Sequence, residues 1–415
     1  MARTLLPTPL QLAYQDWEWG VFLHFGIRTF YEGHKDWDGK AMSPSQFLPT
    51  ELDCDQWAAV AEAAGAKYMV MTAKHHDGFA NWPSKYTDFS VANSSWRGGK
   101  GDVVREYVDA CRRHNLKVGI YYSPRDWSNP NYENEKAYDD YFINQISELL
   151  IPYGKIDILW FDGCGSAGHR YDWERICGAI RGMQPEILIF GIGDPDFRWV
   201  GNELGLAPVP LWNTVSRAPF AMDSNDSAEL AVPTWLPAEC DCRMRLTNWF
   251  YSDADERTVK SPEELMGLYY YSVGRGCNFL INIGPDRRGL LPDKDVRNLL
   301  AWARERDRRF RQPLRSLADW SVGADGLSWE LNFAEPTLID HVVLQEDLNA
   351  GEHARAFCID CNPNHLKTWI RLWQGENIGH KAICSFPPLA VRRLRVRVTD
   401  CDGALAMRAM DVFKV

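Results

Sequence analysis

Three clusters of histidine and carboxylate residues stand directly behind apolar, β-rich stretches of the chain. His24 lies at the end of the run 21–25, His75, His76 and Asp77 follow 68–72, and Asp162 follows 156–161. Tyr122 closes 117–122, and Arg198 to Glu203 occupy the loop after 187–191. Two chemistries suit such a set. Metal-assisted hydrolysis would use the histidines and aspartates as ligands. Neighbouring His75 and His76 speak against it, because adjacent side chains of an extended segment point to opposite faces. No His-x-His pair ends the first run either, so neither a metal nor a cofactor is expected. Glycoside hydrolysis instead needs two carboxyl groups flanking one sugar ring. A sugar also needs neutral hydrogen-bonding groups for its hydroxyls and flat rings for its C–H faces. The three histidines, Tyr122, Trp37, Trp82, Trp160 and Trp249 offer both, in a chain with 18 tryptophans.

For these groups to meet, the segments carrying them must end on one rim. Runs 21–25, 68–72, 117–122, 156–161, 187–191 and 278–283 read as strands. Between them, 54–65, 102–115, 138–150, 173–183, 261–274 and 293–310 carry apolar residues at helical spacing. Strand and helix in alternation predict an α/β fold with a parallel sheet. Around 300 residues of it fit a (β/α)8-like barrel, whose site lies at the C-terminal ends of the strands. From Leu314 the pattern changes to short alternating runs, 337–345, 368–373, 382–386 and 392–399, with no helix of length between them. These predict a C-terminal β-sandwich. The expected domains are therefore 1–312, the barrel, and 313–415, the sandwich, divided near Arg311-Gln312-Pro313.

Composition narrows the partners. A net charge of −10 argues against nucleic acid. No apolar run has the length of a membrane span. The start, Met1 to Pro9, lacks the apolar core of a signal peptide. The expectation is a cytoplasmic protein, or a periplasmic or secreted one if a leader has been trimmed. Eleven cysteines without a repeating pattern read as buried thiols. Cys240-x-Cys242 and Cys358-x-x-Cys361 invite a metal or redox reading but lack a second pair at zinc spacing. The oligomeric state is left open.

Three segments carry a resemblance to a known family. They are Trp19-Gly20-Val21-Phe22-Leu23-His24-Phe25-Gly26, Ala73-Lys74-His75-His76-Asp77-Gly78-Phe79 and Leu159-Trp160-Phe161-Asp162-Gly163. The chain resembles glycoside hydrolase family 29, the retaining α-L-fucosidases. Trp199-Val200-Gly201-Asn202-Glu203 and Pro237-Ala238-Glu239 look like the subgroup acting on α1,3/1,4-linked fucose of branched oligosaccharides or glycoconjugates. The resemblance implies that Asp162 is the nucleophile, where the residue alone would also read as a helix N-cap. It implies a fucose pocket of His24, His75, His76, Tyr122 and Trp160, walled by Trp37 and Trp249. Glu203 is preferred as acid/base on its loop spacing, with Glu239 as rival. Otherwise Glu203 is a surface carboxylate and Glu239 an ion-pair partner of Arg243 or Arg245. Arg198 is a candidate to hold a sugar oxygen near the nucleophile. Asp36 stands where the family commonly has Glu, one methylene further from the sugar. Phe25 and Phe79 are the candidates nearest the sugar's C5 methyl. The other readings are a broad-specificity fucosidase using Glu239 and a non-catalytic fucose-binding protein.

Overall fold

In each of the first five strands, alternate residues face a common interior while the others face helices. β1 (Trp19–Leu23), β2 (Tyr68–Lys74), β3 (Lys117–Tyr122), β4 (Ile158–Phe161) and β5 (Leu188–Phe190) are buried along almost their whole length. After them come β6 (Arg198–Trp199), an antiparallel hairpin of β7 (Thr214–Pro219) and β8 (Ser227–Trp235), then β9 (Ala238–Arg243) and β10 (Asn278–Asn282). The computed structural model describes residues 5–33, 35, 38–166, 168–219, 227–363 and 368–415.

The barrel strands pair in the order β5-β4-β3-β2-β1-β10-β9-β6, every neighbour parallel. A further parallel bridge, Phe190 to Phe197, draws the two ends together, so the sheet is a nearly closed eight-stranded barrel. Around it lie α2 (Cys54–Ala63), α3 (Val103–Arg113), α4 (Glu135–Leu150), α5 (Trp173–Met183), α6 (Pro262–Tyr271) and α7 (Asp293–Phe310), preceded in the chain by α1 (Pro9–Trp17). Each of α2 to α6 begins on a side-chain cap, from Asp53, Asp102, Asn134, Asp172 and Ser261 respectively.

One set of alternate residues fills the barrel: Phe22, Tyr68, Val70, Tyr121, Trp160 and Leu280 belong to a single buried cluster. Gly20 makes room there, since a Cβ would stand 2.8 Å from the Tyr68 ring. Near the N-terminal ends of the strands the interior is polar. Tyr14 of α1 and Tyr68 donate to Glu239 Oε2 at 2.8 and 2.7 Å, and Trp160 Nε1 donates to Oε1 at 2.9 Å. Burial pushes the Glu239 carboxyl up, and the three donors act against that shift. Replacing Glu239 with leucine leaves three buried donors without an acceptor, at about 1–3 kcal/mol each. Urea unfolding should show a loss of at least ~3 kcal/mol, with Glu239→Gln less affected; unchanged stability in both would remove Glu239 from the fold's polar centre.

The C-terminal unit is antiparallel: β11 (Ser321–Val322), β12 (Ser328–Glu346), β13 (Ala354–Asn362), β14 (Ile370–Gly375), β15 (Ala382–Cys401) and β16 (Met407–Phe413). The expected runs 382–386 and 392–399 are one strand, β15, which pairs with β12 along both halves. Its prolines 387 and 388 fall where the register skips between Leu389 and Ser385, a place where missing N–H groups cost no ladder bond. Trp329, Leu331, Ile359 and Val396 from one half share a core with Val342, Leu344, Met410 and Val412 from the other. This unit is tied to the barrel's N-terminal end, where His380 Nε2 meets Asp16 Oδ1 at 2.9 Å and Lys381 pairs with Glu18.

Candidate active site

Alternation continues past the strand ends and decides what faces the barrel mouth. Asp162 lies two residues beyond Trp160, and His24 two beyond Phe22, so both follow inward-facing positions. Asp162 Oδ1 accepts the Cys164 N–H at 2.8 Å, and Oδ2 accepts the Tyr121 hydroxyl at 2.9 Å. His76 Nε2 stands 3.5 Å from Oδ2. The carboxylate side chain remains 24% exposed, held at its base and open above. Asp162 caps no helix; the cap of the following helix is Asp172. Burial first, and the Asp162 charge next, push the Tyr121 phenol up and keep it protonated.

The rings form a continuous wall. His24 lies 5.5 Å from His75 and 5.0 Å from Trp249, His75 lies 4.3 Å from His76, and Tyr121 stacks on His75 at 5.5 Å. Burial pulls His24 down to about 3, against the raising effect of its Asn282 hydrogen bond, and the nearby His76 and Arg243 pull the same way as burial. Burial likewise holds His75 well below the usual imidazole range. Both rings are neutral at ordinary pH, suited to hydroxyls rather than to anions.

His75 and His76 were expected on opposite faces, yet their rings adjoin. The strand ends at Lys74 behind a register shift, and a turn with Gly78 at φ +86° follows, so alternation no longer applies. Among the described residues, no group of three or more His, Cys, Asp or Glu side chains is placed to hold a metal ion.

Glu203 sits on the segment after β6, which runs beside β9 through Val200 N–H to Glu239 O and Gly205 N–H to Asp241 O. Its carboxylate lies 3.6 Å from Arg243 Nη1, and the Arg243 guanidinium lies 5.3 Å from the Trp249 ring. Asp241, one inward position below Arg243, accepts Trp199 Nε1 at 2.7 Å. Burial and then the charge of Glu203 push its carboxyl well up. Through Arg243 and Trp249, Glu203 is joined to the wall that contains His24.

The family model for alpha-L-fucosidase matches residues 3–304. The chain belongs to the alpha-L-fucosidase family. Alpha-L-fucosidase 1 of Arabidopsis thaliana is 31% identical over 95% of this chain and 84% of its own. The rice protein named putative alpha-L-fucosidase 1 (Oryza sativa subsp. japonica) is 32% identical over 99% of this chain and 85% of its own. A Ruminococcus gnavus glycoside hydrolase 29 fucosidase, solved in complex with fucose, superposes with TM-score 0.86 at 25% identity, covering 100% of this chain and 96% of that one. This fucosidase is a glycoside hydrolase of family 29 with a barrel and a C-terminal antiparallel β unit.

Six residues expected at the site are placed elsewhere. Tyr122 is the outward neighbour of Tyr121; its hydroxyl meets Lys74 Nζ at 2.9 Å and Gln145 Oε1 at 2.8 Å in the helix layer. The phenol that meets Asp162 is Tyr121, which the order of inward positions in β3 would have identified. Glu239, 1% exposed with three donors, lies in the barrel interior, and neither Arg243 nor Arg245 pairs with it. Arg198 is also outward: it is buried, and it donates to the Trp212 carbonyl at 3.0 Å. Trp160 is stacked between Tyr121 and Phe190, and its N–H is committed to Glu239, so it underlies the site. Phe25 and Phe79 pack on Phe47 in the outer core, whereas Phe250, not singled out from sequence, lies 5.4 Å from His24 and 5.0 Å from His75. Asp36 and Trp37 lie outside the described residues.

Proposed function

We propose that this fucosidase is a retaining exo-enzyme that releases terminal α1,3/1,4-linked fucose from branched oligosaccharides or glycoconjugates. Asp162 attacks C1 of the fucosyl unit while Glu203 protonates the departing oxygen. A covalent fucosyl-enzyme forms, and water deprotonated by Glu203 then releases fucose with retention. The observation that carries this reading is the Asp162 carboxylate, fixed by Tyr121 and Cys164 and bordered by His76, with neutral His24 and His75 in the same wall. The three donors that already occupy Glu239 favour Glu203 over it as acid/base. The linkage preference rests on the Trp199 to Glu203 segment.

Glu203→Ala is the test. Hydrolysis of Lewis-type trisaccharides should fall by about 10²–10⁴-fold. A dinitrophenyl fucoside, whose leaving group needs no proton, should lose far less in the first step. Added azide should intercept the fucosyl-enzyme and give α-fucosyl azide. Equal losses on both substrates, without azide product, would refute the role of Glu203. Faster cleavage of 2'-fucosyllactose than of Lewis-type trisaccharides by the unmodified enzyme would refute the linkage reading.

A further inference from the structure

Two buried side chains behind the histidine wall determine which ring nitrogens carry protons. Asn282, at the end of β10, is 2% exposed, and Ser123, just past β3, is fully buried. Asn282 Nδ2 donates to the Trp249 carbonyl at 2.7 Å, and its Oδ1 accepts the His24 backbone N–H at 3.2 Å. Reversing the carboxamide would set N–H against N–H and carbonyl against carbonyl, so its orientation is fixed. His24 Nδ1 lies 2.8 Å from Oδ1. An amide oxygen has no proton to give, so Nδ1 is the donor and, in the neutral ring, Nε2 is bare.

The same logic holds for His76. The Ser123 hydroxyl donates to the Arg125 carbonyl at 2.7 Å, which uses its only proton. His76 Nδ1, 2.5 Å from that oxygen, must therefore donate to it. In the neutral ring Nε2 is again bare, and it lies 3.5 Å from Asp162 Oδ2. A second ring proton there would pair a cation with the nucleophile and weaken its attack.

We propose that Asn282 and Ser123 are positioning residues that hold His24 and His76 as hydrogen-bond acceptors, so that the pocket takes sugar hydroxyls as donors at both positions. The proposal rests on the site reading above but concerns residues that do not touch substrate. It also assigns a selectivity: fluorine accepts but cannot donate, so a fluorine in place of a donating hydroxyl would face a nitrogen lone pair.

Asn282→Asp tests it, because the shape is kept and the charge changed. A carboxylate at Nδ1 favours the imidazolium and raises the His24 pKa. The other groups around His24 are Arg243 from β9, His75 and His76 beyond β2, and Tyr121 from β3, with Trp249, Phe250 and Phe22 as uncharged neighbours. Below the new pKa, Nε2 bears a proton and no longer accepts. The inhibition constant of L-fucose and the KM should then rise about tenfold per pH unit on the acid side. Both should return to within a few-fold of the unmodified enzyme at high pH. A variant impaired equally at every pH, or unaltered at every pH, would overturn the proposal. If Asn282→Asp does not fold, Ser123→Ala replaces it. Freed from its serine acceptor, His76 can carry its proton on Nε2, and at one ring position the penalty for deoxyfluoro-fucose relative to fucose should fall about tenfold. An unchanged penalty at every position would overturn the proposal. His24→Ala separates the two levels of inference: if it leaves fucose inhibition untouched, the site reading itself fails.

Discussion

Replacing Asp162 with alanine is expected to lower kcat by roughly 10⁴-fold or more, while the protein stays folded. The carboxylate is partly exposed, and its hydrogen bonds come from one phenol and one backbone N–H. Losing them costs about 1 kcal/mol each, small beside the stability of a barrel. On the proposed mechanism the lost attack on C1 cannot be offset in the same way, because no other described carboxylate meets both Tyr121 and the Cys164 amide. Azide entering the space of the lost carboxylate should restore turnover and give β-fucosyl azide, with inversion relative to the α-linked substrate. The Glu203 variant should give the α-azide, since there azide displaces the Asp162 carboxylate from the intermediate. The anomer of the product thus assigns each residue its role independently of rate. Near-normal activity in Asp162→Ala, or α-azide from it, would place the nucleophile elsewhere.

What could be read from the chain followed the physics of each segment. β1 to β5 and β10 were legible because they combine apolar side chains on both faces, as buried parallel strands do. β9 was not. Its inward residues are Glu239, Asp241 and Arg243, and its outward ones include Cys240 and Cys242. Charge points into the barrel and small apolar thiols face the helices, the reverse of the pattern that marks a half-buried strand. The Cys-x-Cys spacing, open to a metal or redox reading, is strand alternation, and Cys240 lies beside Cys277 at 3.2 Å as a free thiol. α1 is not among the expected helices, although Thr8 and Gln11 form a capping box and Pro9 occupies its first position. The choice of Tyr122 over Tyr121 was an error of register by one residue, which in a strand exchanges the faces.

That exchange of faces leads to a second expected effect on stability. Outward from the site, Lys74 Nζ lies 3.0 Å from Asp126 Oδ2, and both side chains are completely buried. Burial pulls the Lys74 ammonium down, and the Asp126 charge opposes that. Asp126 also accepts Tyr141 hydroxyl at 2.8 Å, Ser128 N–H at 2.9 Å and Asn129 N–H at 3.1 Å. The pair therefore fastens the end of β2 to the loop after β3. On that loop Ser123 N–H donates to the Lys74 carbonyl and Trp127 N–H to the His76 carbonyl, both at 2.9 Å. Lys74→Met would strand a buried carboxylate, a loss of about 3–5 kcal/mol. Urea unfolding should register it, and kcat/KM should fall well below the midpoint, because the loop that presents Ser123 to His76 is released. Adding Asp126→Asn should recover part of the stability, since no unpaired charge then remains; additive losses in the double variant would mean that the two side chains act independently. The ion pair lies on the outer side of β2 and β3, beside Tyr122 and Tyr141, yet it fixes the spacing between the strand ends that carry His76 and Ser123.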